Sequence, residues 1–297
     1  MLAPFLLMTL TRPSPCKINL LLNILGKRAD GFHELETVMQ PVGLCDELQF
    51  KRGGHGIQLT CSEPSLPVDS TNLVRRAATA FLEAARIGGG VSIHLQKRIP
   101  LAAGLGGGSG NAANTLLGLN QLFGQPLTAV QLGELAAGLG SDVPFFLQDR
   151  PALATGRGAE IVPLGFFPAL QGVCVFLVYP GFGIPTAWAY QELAKHPGAL
   201  NGRPGRAQKL VAILQTADLE AAGKEFYNSL EAPALNKYPL LALFQEFLKA
   251  NGAVAALMSG SGSTTFALVK GRNAGEELRE KFRSGFGGAC WTAVVPL

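Results

Sequence analysis

Apolar and polar positions alternate along "SPCKINLLLNILG" at residues 14–26. Cys16, Ile18, Leu20, Leu22 and Ile24 fall on one face, and Lys17, Asn19, Leu21 and Asn23 on the other. A period of two predicts a strand with one buried face. It also sends Lys17 and Asn19 the same way, off the core. Asp30-Gly31 in "RADGFHEL" is a turn signal, and "ELQF" and "IQLTC" read as further short strands. The period then becomes helical. "STNLVRRAATAFLEAARIGGG" at 70–90 predicts a helix capped by Ser70, Thr71 or Asn72 and stopped by the triple glycine. "VSIHLQKRIP" predicts a strand; "NAANTLLGLNQLFG" and "TAVQLGELAAGLG" predict helices, the second ending on Gly138 and Gly140. In "SDVPFFL", Ser141 or Asp142 is placed to cap a new helix with Pro144 in its first turn.

The pattern breaks at "PLGFFPALQG", residues 163–172, a plausible domain boundary. Beyond it "VCVFLVYPG" predicts a buried strand, followed by helices at about 207–216, 218–228 and 237–250. "GAVAALM", "SGSGSTT" and "FALVKG" read as strand, glycine turn and strand; a helix near 273–284 and a strand "CWTAVVPL" close the chain. Strands mixed with helices in both halves mean an α/β or α+β protein.

Composition narrows this picture. The chain has 297 residues, 47% apolar and 15% charged, enough for one or two packed domains and too apolar for disorder. A net charge of +4, with no Lys/Arg run longer than two, suits a small anionic substrate and does not argue for nucleic acid. The five cysteines, Cys16, Cys45, Cys61, Cys174 and Cys290, lack any CxxC spacing and read as reduced core thiols of a cytoplasmic protein. "HELET" at 33–37 starts like a zinc motif, but Thr37 stands where the second histidine is required, so no structural metal site is expected. The first ten residues, "MLAPFLLMTL", lack the basic start and cleavage site of a signal peptide and are too short to span a membrane. They read as a frayed or strand-like terminus, with Met8 a second possible start.

The chemistry centres on "PLAAGLGGGSGNAANTL", residues 100–116, with five glycines and no charge. Each glycine in an ordered segment costs about 0.5–1 kcal/mol relative to alanine. A strand, a Gly/Ser loop and then a helix make a phosphate-binding arrangement: first-turn N–H groups lack internal partners, and the helix dipole places positive charge there. Ser109 adds a hydroxyl for a phosphate oxygen or Mg²⁺. A packed glycine turn or linker is the structural alternative, but linkers rarely run straight into an apolar helix. The loop is not a Walker A, since no GK[ST] follows, nor a Rossmann fingerprint, since Ser109 occupies the third glycine position. GxSxG and the protein-kinase motifs are absent.

Three blocks together resemble the GHMP kinases, the superfamily of galactokinase, homoserine kinase and mevalonate kinase. "PLAAGLGGGSGNAA" is similar to their phosphate loop. "PCKINLLLNILGKRADGFHELETVMQPVGLCDEL" at 15–48 and "MSGSGSTTFAL" at 258–268 resemble one branch, the 4-diphosphocytidyl-2-C-methyl-D-erythritol kinases. The likeness runs from about residue 14 to the last strand. It implies a two-lobed fold: a nucleotide-binding and catalytic domain of the ribosomal S5 domain-2 type, residues 1–168, and a ferredoxin-like substrate domain, residues 169–297. It also implies transfer of the γ-phosphate of ATP, with Mg²⁺, to the 2-hydroxyl of 4-diphosphocytidyl-2-C-methyl-D-erythritol, a step of the non-mevalonate isoprenoid pathway.

The resemblance assigns roles residue by residue. Asp142 matches the carboxylate that accepts the hydroxyl proton; its structural alternative is the helix cap. Lys17 matches the lysine that lowers the hydroxyl pKa and meets the transferring phosphate, against the alternative of a solvated strand lysine. Pro100, Gly104, Leu105, Gly106, Gly107, Gly108, Ser109, Gly110 and Asn111 match the ATP loop. Asn19, Phe32, His33, Thr186 and Tyr190 match the substrate contacts, with Phe32 and His33 at the cytosine and Tyr190 stacked on its other side. Phe32 replaces the commoner tyrosine, which keeps stacking and drops a hydroxyl. "SGSGSTT" is expected to support the glycine loop or the substrate's diphosphate, and a tight hairpin turn suits it equally well. No acidic pair marks a Mg²⁺ site. A kinase for another small alcohol, such as homoserine or mevalonate, would keep the loop and Asp142 without needing "DGFHEL". A non-catalytic nucleotide-binding regulator would not need Lys17 and Asp142. No membrane or nucleic-acid partner is expected, and the chain is read as a monomer or weak homodimer.

Overall fold

The structure is a computed structural model that describes residues 9–297; the apolar N-terminal stretch up to Met8 lies outside the described residues. Strands β1 (Thr9–Lys27), β2 (His33–Arg52) and β3 (Ile57–Cys61) come first, then helix α1 (Leu73–Ala84), strand β4 (Val91–Gln96) and helices α2 (Gly107–Leu122) and α3 (Ala129–Leu139). Strands β5 (Ala152–Thr155), β6 (Glu160–Pro163) and β7 (Val173–Tyr179) precede helices α4 (Thr186–Leu193), α5 (Pro197–Leu200), α6 (Arg206–Leu214) and α7 (Leu219–Glu225). Strand β8 (Tyr227–Asn228), helices α8 (Glu231–Lys237) and α9 (Pro239–Ala250), strands β9 (Ala255–Met258) and β10 (Thr265–Lys270), helix α10 (Arg272–Phe286) and strand β11 (Trp291–Pro296) complete the chain.

Two compact units result. The first comprises the chain up to Cys16, Leu44–Ile99 and Gly106–Asp149; the second comprises Lys17–Gly43, Pro100–Leu105 and Arg150–Leu297. In the first unit β4 pairs antiparallel with the end of β2 (Glu47↔Gln96 to Arg52↔Val91) and parallel with β3. A parallel pair needs a crossover, and α1 supplies it. Its buried residues Val74, Ala77, Ala78 and Phe81 recur at helical spacing, and Asn72 caps it by accepting from the Val74 N–H at 2.9 Å. The helix stops at Ala84, before the glycines 88–90 expected to end it; Arg86, at φ 52°, has already turned the chain. Helices α2 and α3 pack on α1. A Cβ on Gly118, in mid-α2, would fall 2.5 Å from the buried Phe50 ring, so glycine lets the helix seat there.

In the second unit the order β11-β7-β10-β9 is wholly antiparallel. Numbered within this unit's βαββαβ run, that order is 4-1-3-2, the ferredoxin-like arrangement. Phe176, Phe244 and Phe282 form its buried aromatic centre, with Phe244 and Phe282 edge to face at 5.0 Å. The end of the helix expected at 218–228 is instead β8, which pairs parallel with β1 (Leu21↔Tyr227, Leu22↔Asn228). Helices α4, α5 and α8 carry too little apolar periodicity to be read from sequence.

The face assignment of β1 changes. Lys17 and Asn19 are each 3% exposed, and Leu21 and Asn23 are fully buried. Both faces of this strand are covered, because its polar side chains find partners: Asn23 Nδ2 donates to Glu36 Oε1 and to the Arg203 carbonyl, each at 2.9 Å. A polar side chain on a strand can be buried when partners satisfy its hydrogen bonds.

Candidate functional site

The glycine segment divides between the units. In the first unit, α2 begins at Gly107, four residues earlier than the alanine-rich run suggests, with Gly106 in the left-handed region (φ 70°) as its N-cap. No side chain caps this end, and no acidic residue lies in its first turn. The N–H groups of Gly107, Gly108 and Ser109 therefore lie where helix geometry leaves donors without internal acceptors and the dipole is positive. Asn111 comes two residues on, 2% exposed, its Nδ2 donating to Asp46 Oδ2 at 3.0 Å. Asp142 lies in the turn before a short 3₁₀ segment, Pro144–Leu147, whose N-cap is Val143 without a side-chain cap bond. The N-cap position expected at Ser141 or Asp142 falls instead at Val143, and the helix is a single 3₁₀ turn. Buried Val143, Phe145 and Phe146 anchor this turn from below.

In the second unit, Pro100–Leu105 meets the turn between β9 and β10. Gly104 has φ +78°, and a Cβ there would stand 2.2 Å from the Ser259 carbonyl oxygen, so only glycine fits. Ser259 Oγ donates to the Gly104 carbonyl at 3.0 Å, and the Thr264 N–H to the Ala103 carbonyl at 3.1 Å. The "SGSGSTT" segment supports the glycine loop, one of the two roles expected of it. Lys17 joins from β1: its N–H donates to the Leu105 carbonyl at 2.9 Å, and its Nζ lies 3.5 Å from where a Gly260 Cβ would stand. A side-chain chain then runs inward. Lys17 Nζ donates to Asn19 Oδ1 at 2.6 Å, Asn19 Nδ2 to Thr37 Oγ1 at 2.9 Å, and Thr37 Oγ1 to the Leu21 carbonyl at 2.5 Å.

The residues expected at the cytosine lie in the same unit. His33 and Tyr190 rings are 4.9 Å apart and tilted by 39°. Tyr190 and Thr186 are one turn apart on α4, on one face, and Thr186 Oγ1 shares a hydrogen bond with Ser261 Oγ at 2.9 Å. Burial, and then the charge of Lys27, hold the His33 imidazole below its ordinary pKa of 6.5. Phe32 is 51% exposed; its N–H donates to Asp30 Oδ1 at 3.1 Å, and the Arg157 guanidinium lies over its ring at 4.7 Å.

Sequence reading missed three contributors. Arg157 sits in "ATGRGAEI" with no signal of its own. Asn228, at the end of β8, donates Nδ2 to the carbonyls of Met258 and Gly260, both at 2.8 Å, holding the glycine turn in shape. Asp46, in "LCDELQF", is fully buried, and with Glu47 beside it nothing in the local pattern marks its carboxylate as partnered.

Among the described residues no group of three or more His, Cys, Asp or Glu side chains could hold a metal ion. Of the cysteines, Cys16 and Cys174 are buried, and Cys45, Cys61 and Cys290 are half-buried.

An uncapped glycine-opened helix in one unit, with a buried lysine and a ferredoxin-like sheet in the other, defines a small-molecule kinase of the GHMP class. The family model described as GHMP kinases N terminal domain matches residues 72–150, and GHMP kinases C terminal matches residues 210–288. A 4-diphosphocytidyl-2-C-methyl-D-erythritol kinase of Synechococcus sp. (strain JA-2-3B'a(2-13)) is 41% identical over 277 residues, covering 91% of this chain and 88% of the relative. Its counterpart in Geobacter sp. (strain M21) is 40% identical, covering 94% and 97%. A crystal structure of 4-(cytidine 5'-diphospho)-2C-methyl-D-erythritol kinase superposes with a TM-score of 0.79 at 34% identity, over 97% of this chain and all of that one. The chain belongs to the family of 4-diphosphocytidyl-2-C-methyl-D-erythritol kinases. Homoserine kinase from Cytophaga hutchinsonii, at 19% identity and a TM-score of 0.75, shares the fold.

Proposed function

We infer that this chain transfers the γ-phosphate of ATP to the 2-hydroxyl of 4-diphosphocytidyl-2-C-methyl-D-erythritol, a step of isoprenoid synthesis. The observation that carries the reading is the Lys17 ammonium, 3% exposed and hydrogen-bonded to Asn19 beside Gly260. Burying an ammonium costs several kcal/mol. A chain keeps such a charge where charge is used, and phosphoryl transfer uses positive charge at the transferring group.

In this reading the N–H groups at the start of α2 hold the phosphates of ATP, with Pro100, Gly104, Leu105, Gly110 and Asn111 shaping the approach. Asp142 accepts the hydroxyl proton, and Lys17 lowers the hydroxyl's pKa and neutralises charge as the phosphate moves. Asn19 and Thr186 orient the acceptor. Phe32, His33 and Tyr190 take the cytosine, where stacking contributes about 1–3 kcal/mol per base. His33, held below its ordinary pKa, is neutral at pH 7 and offers one donor and one acceptor to the base. Mg²⁺ would arrive with ATP, neutralising charge between the β- and γ-phosphates; among the residues here the Ser109 hydroxyl suits it as a ligand. The division into a nucleotide-binding and catalytic domain, 1–168, and a substrate domain, 169–297, is part of the proposal. So are a cytoplasmic location and a monomer or weak homodimer; among the described residues no helix is long and apolar enough to cross a membrane.

The test is coupled ADP release from Mg-ATP with 4-diphosphocytidyl-2-C-methyl-D-erythritol, homoserine, mevalonate, galactose or no acceptor. Turnover with the cytidyl alcohol alone is expected. Turnover with another alcohol instead would remove the cytosine assignment, and ATP binding without turnover would remove the roles of Lys17 and Asp142.

A further inference from the structure

The antiparallel ladder between β2 and β4 ends at Glu47↔Gln96. Asp46 is the next residue on β2, fully buried, and its carboxylate continues the ladder. Oδ1 accepts from the Arg98 N–H at 2.6 Å and the Ile99 N–H at 2.9 Å. Oδ2 accepts from Asn111 Nδ2 at 3.0 Å and from the Lys97 ammonium. One carboxylate thus takes four donors. Two are the last N–H groups before Pro100, and one comes from the opening of α2. The fourth, Lys97, has its Nζ 3.5 Å from where a Gly107 Cβ would stand, beside the first turn of α2.

Two physical facts give this arrangement meaning. A buried carboxylate and ammonium lose more hydration than their attraction returns unless further hydrogen bonds complete them, and Asp46 has those bonds. An ammonium at a helix N-terminus also opposes the dipole, which favours anions there. A cation is worth holding at that end when an anion is to come.

We propose that Asp46 is a positioning residue for nucleotide binding. It ties the strand that enters the glycine loop to the helix that leaves it, and it holds the Lys97 ammonium at the mouth of the phosphate cradle. This rests on the reading of the loop as the ATP site. Asp46 is screened from bulk solvent and acts through Lys97, Asn111 and the backbone.

The experiment measures ADP affinity by calorimetry, and KM for ATP and for the cytidyl acceptor, in Asp46→Asn, Lys97→Met and the double variant. Hydrogen bonds to charged groups are worth enough for Asp46→Asn to weaken ADP binding and raise KM for ATP about 10- to 100-fold, with KM for the acceptor unchanged. Lys97→Met is expected to act in the same direction, and the double variant to be less impaired than the product of the two single effects. An unchanged KM for ATP, or parallel rises in both KM values, would overturn the proposal. So would fully multiplicative effects in the double variant. If Asp46→Asn does not fold, Lys97→Met decides alone: unchanged ADP affinity overturns the assignment. Gly108→Asp, which puts a carboxylate among the cradle's N–H groups, separates the two layers. Loss of ADP binding there with intact binding in Asp46→Asn removes only the role of Asp46. Intact binding in Gly108→Asp removes the cradle itself, and the inference with it.

Discussion

Two glycine-rich segments of similar composition do opposite things in this molecule. Residues 106–110, "GGGSG", open a 16-residue helix whose first turn has neither an acidic residue nor a side-chain cap, so its donors are offered outward. Residues 259–265, "SGSGSTT", join β9 to β10, and several of their polar groups are used internally: Ser259 Oγ binds the Gly104 carbonyl, the Ser263 hydroxyl binds the Phe182 carbonyl, and Asn228 takes the Met258 and Gly260 carbonyls. The difference comes from the element on the C-terminal side of each segment. A helix after a glycine run leaves N–H groups pointing back along its axis. A strand pair joined by one closes the hydrogen bonds on itself. In the proposed function the first segment is the binding surface, while the second holds Gly104 and Ala103 in place.

The sharpest way to break this contrast is at the chemistry beside the helix. Asp142→Asn removes the proposed base while leaving the cradle whole, and a general base contributes about 10²–10⁴ in rate. Turnover is expected to fall by at least that much with ADP affinity unchanged in calorimetry; a near-normal kcat would withdraw the assignment. A scaffold residue should behave differently. Asn228→Ala strips one donor from two buried carbonyls, each loss costing about 1–3 kcal/mol. The expected outcome is a lower thermal midpoint with nucleotide affinity retained in the folded fraction. A variant that keeps full stability and loses only ATP affinity would make the turn a binding element after all. The mildest effect is in pH. The pKa of His33 lies below 6.5, so its neutral form persists above that value and protonation, with its cost to the folded site, comes only as pH falls further. KM for the cytidyl acceptor is expected to be flat from pH 8 to 6.5 and to rise on the acid side, and a His33→Gln variant should lose that rise. A rise on the alkaline side would contradict the neutral imidazole.

Local pattern was enough for most elements. The strand at 14–26, the helix with its cap among residues 70–72, the strand after it and the strand-turn-strand at 252–271 are all where apolar spacing and turn residues put them. The glycine loop was read as a phosphate site because helix termini and glycine nests bind anions whatever surrounds them, and that role stays part of the proposed function. The blocks resembling one kinase branch carried the substrate. Asp142 shows the limit of local reasoning: a residue of capping type, two positions before Pro144, reads as structure or as chemistry, and the N-cap position falls at Val143.

Residue order alone sets which groups can act, since a lysine two positions from an asparagine on a strand must share its face. It does not set whether that face meets water. Lys17 and Asn19 are buried because Thr37, Gly260 and the Leu105 carbonyl arrive from distant parts of the chain, and Asp46 reaches Arg98, Ile99 and Asn111 across more than fifty residues. Spacing along a chain is a local property. Desolvation, and the pairing that makes a buried charge tolerable, depend on everything that packs around it, and only the folded chain decides that.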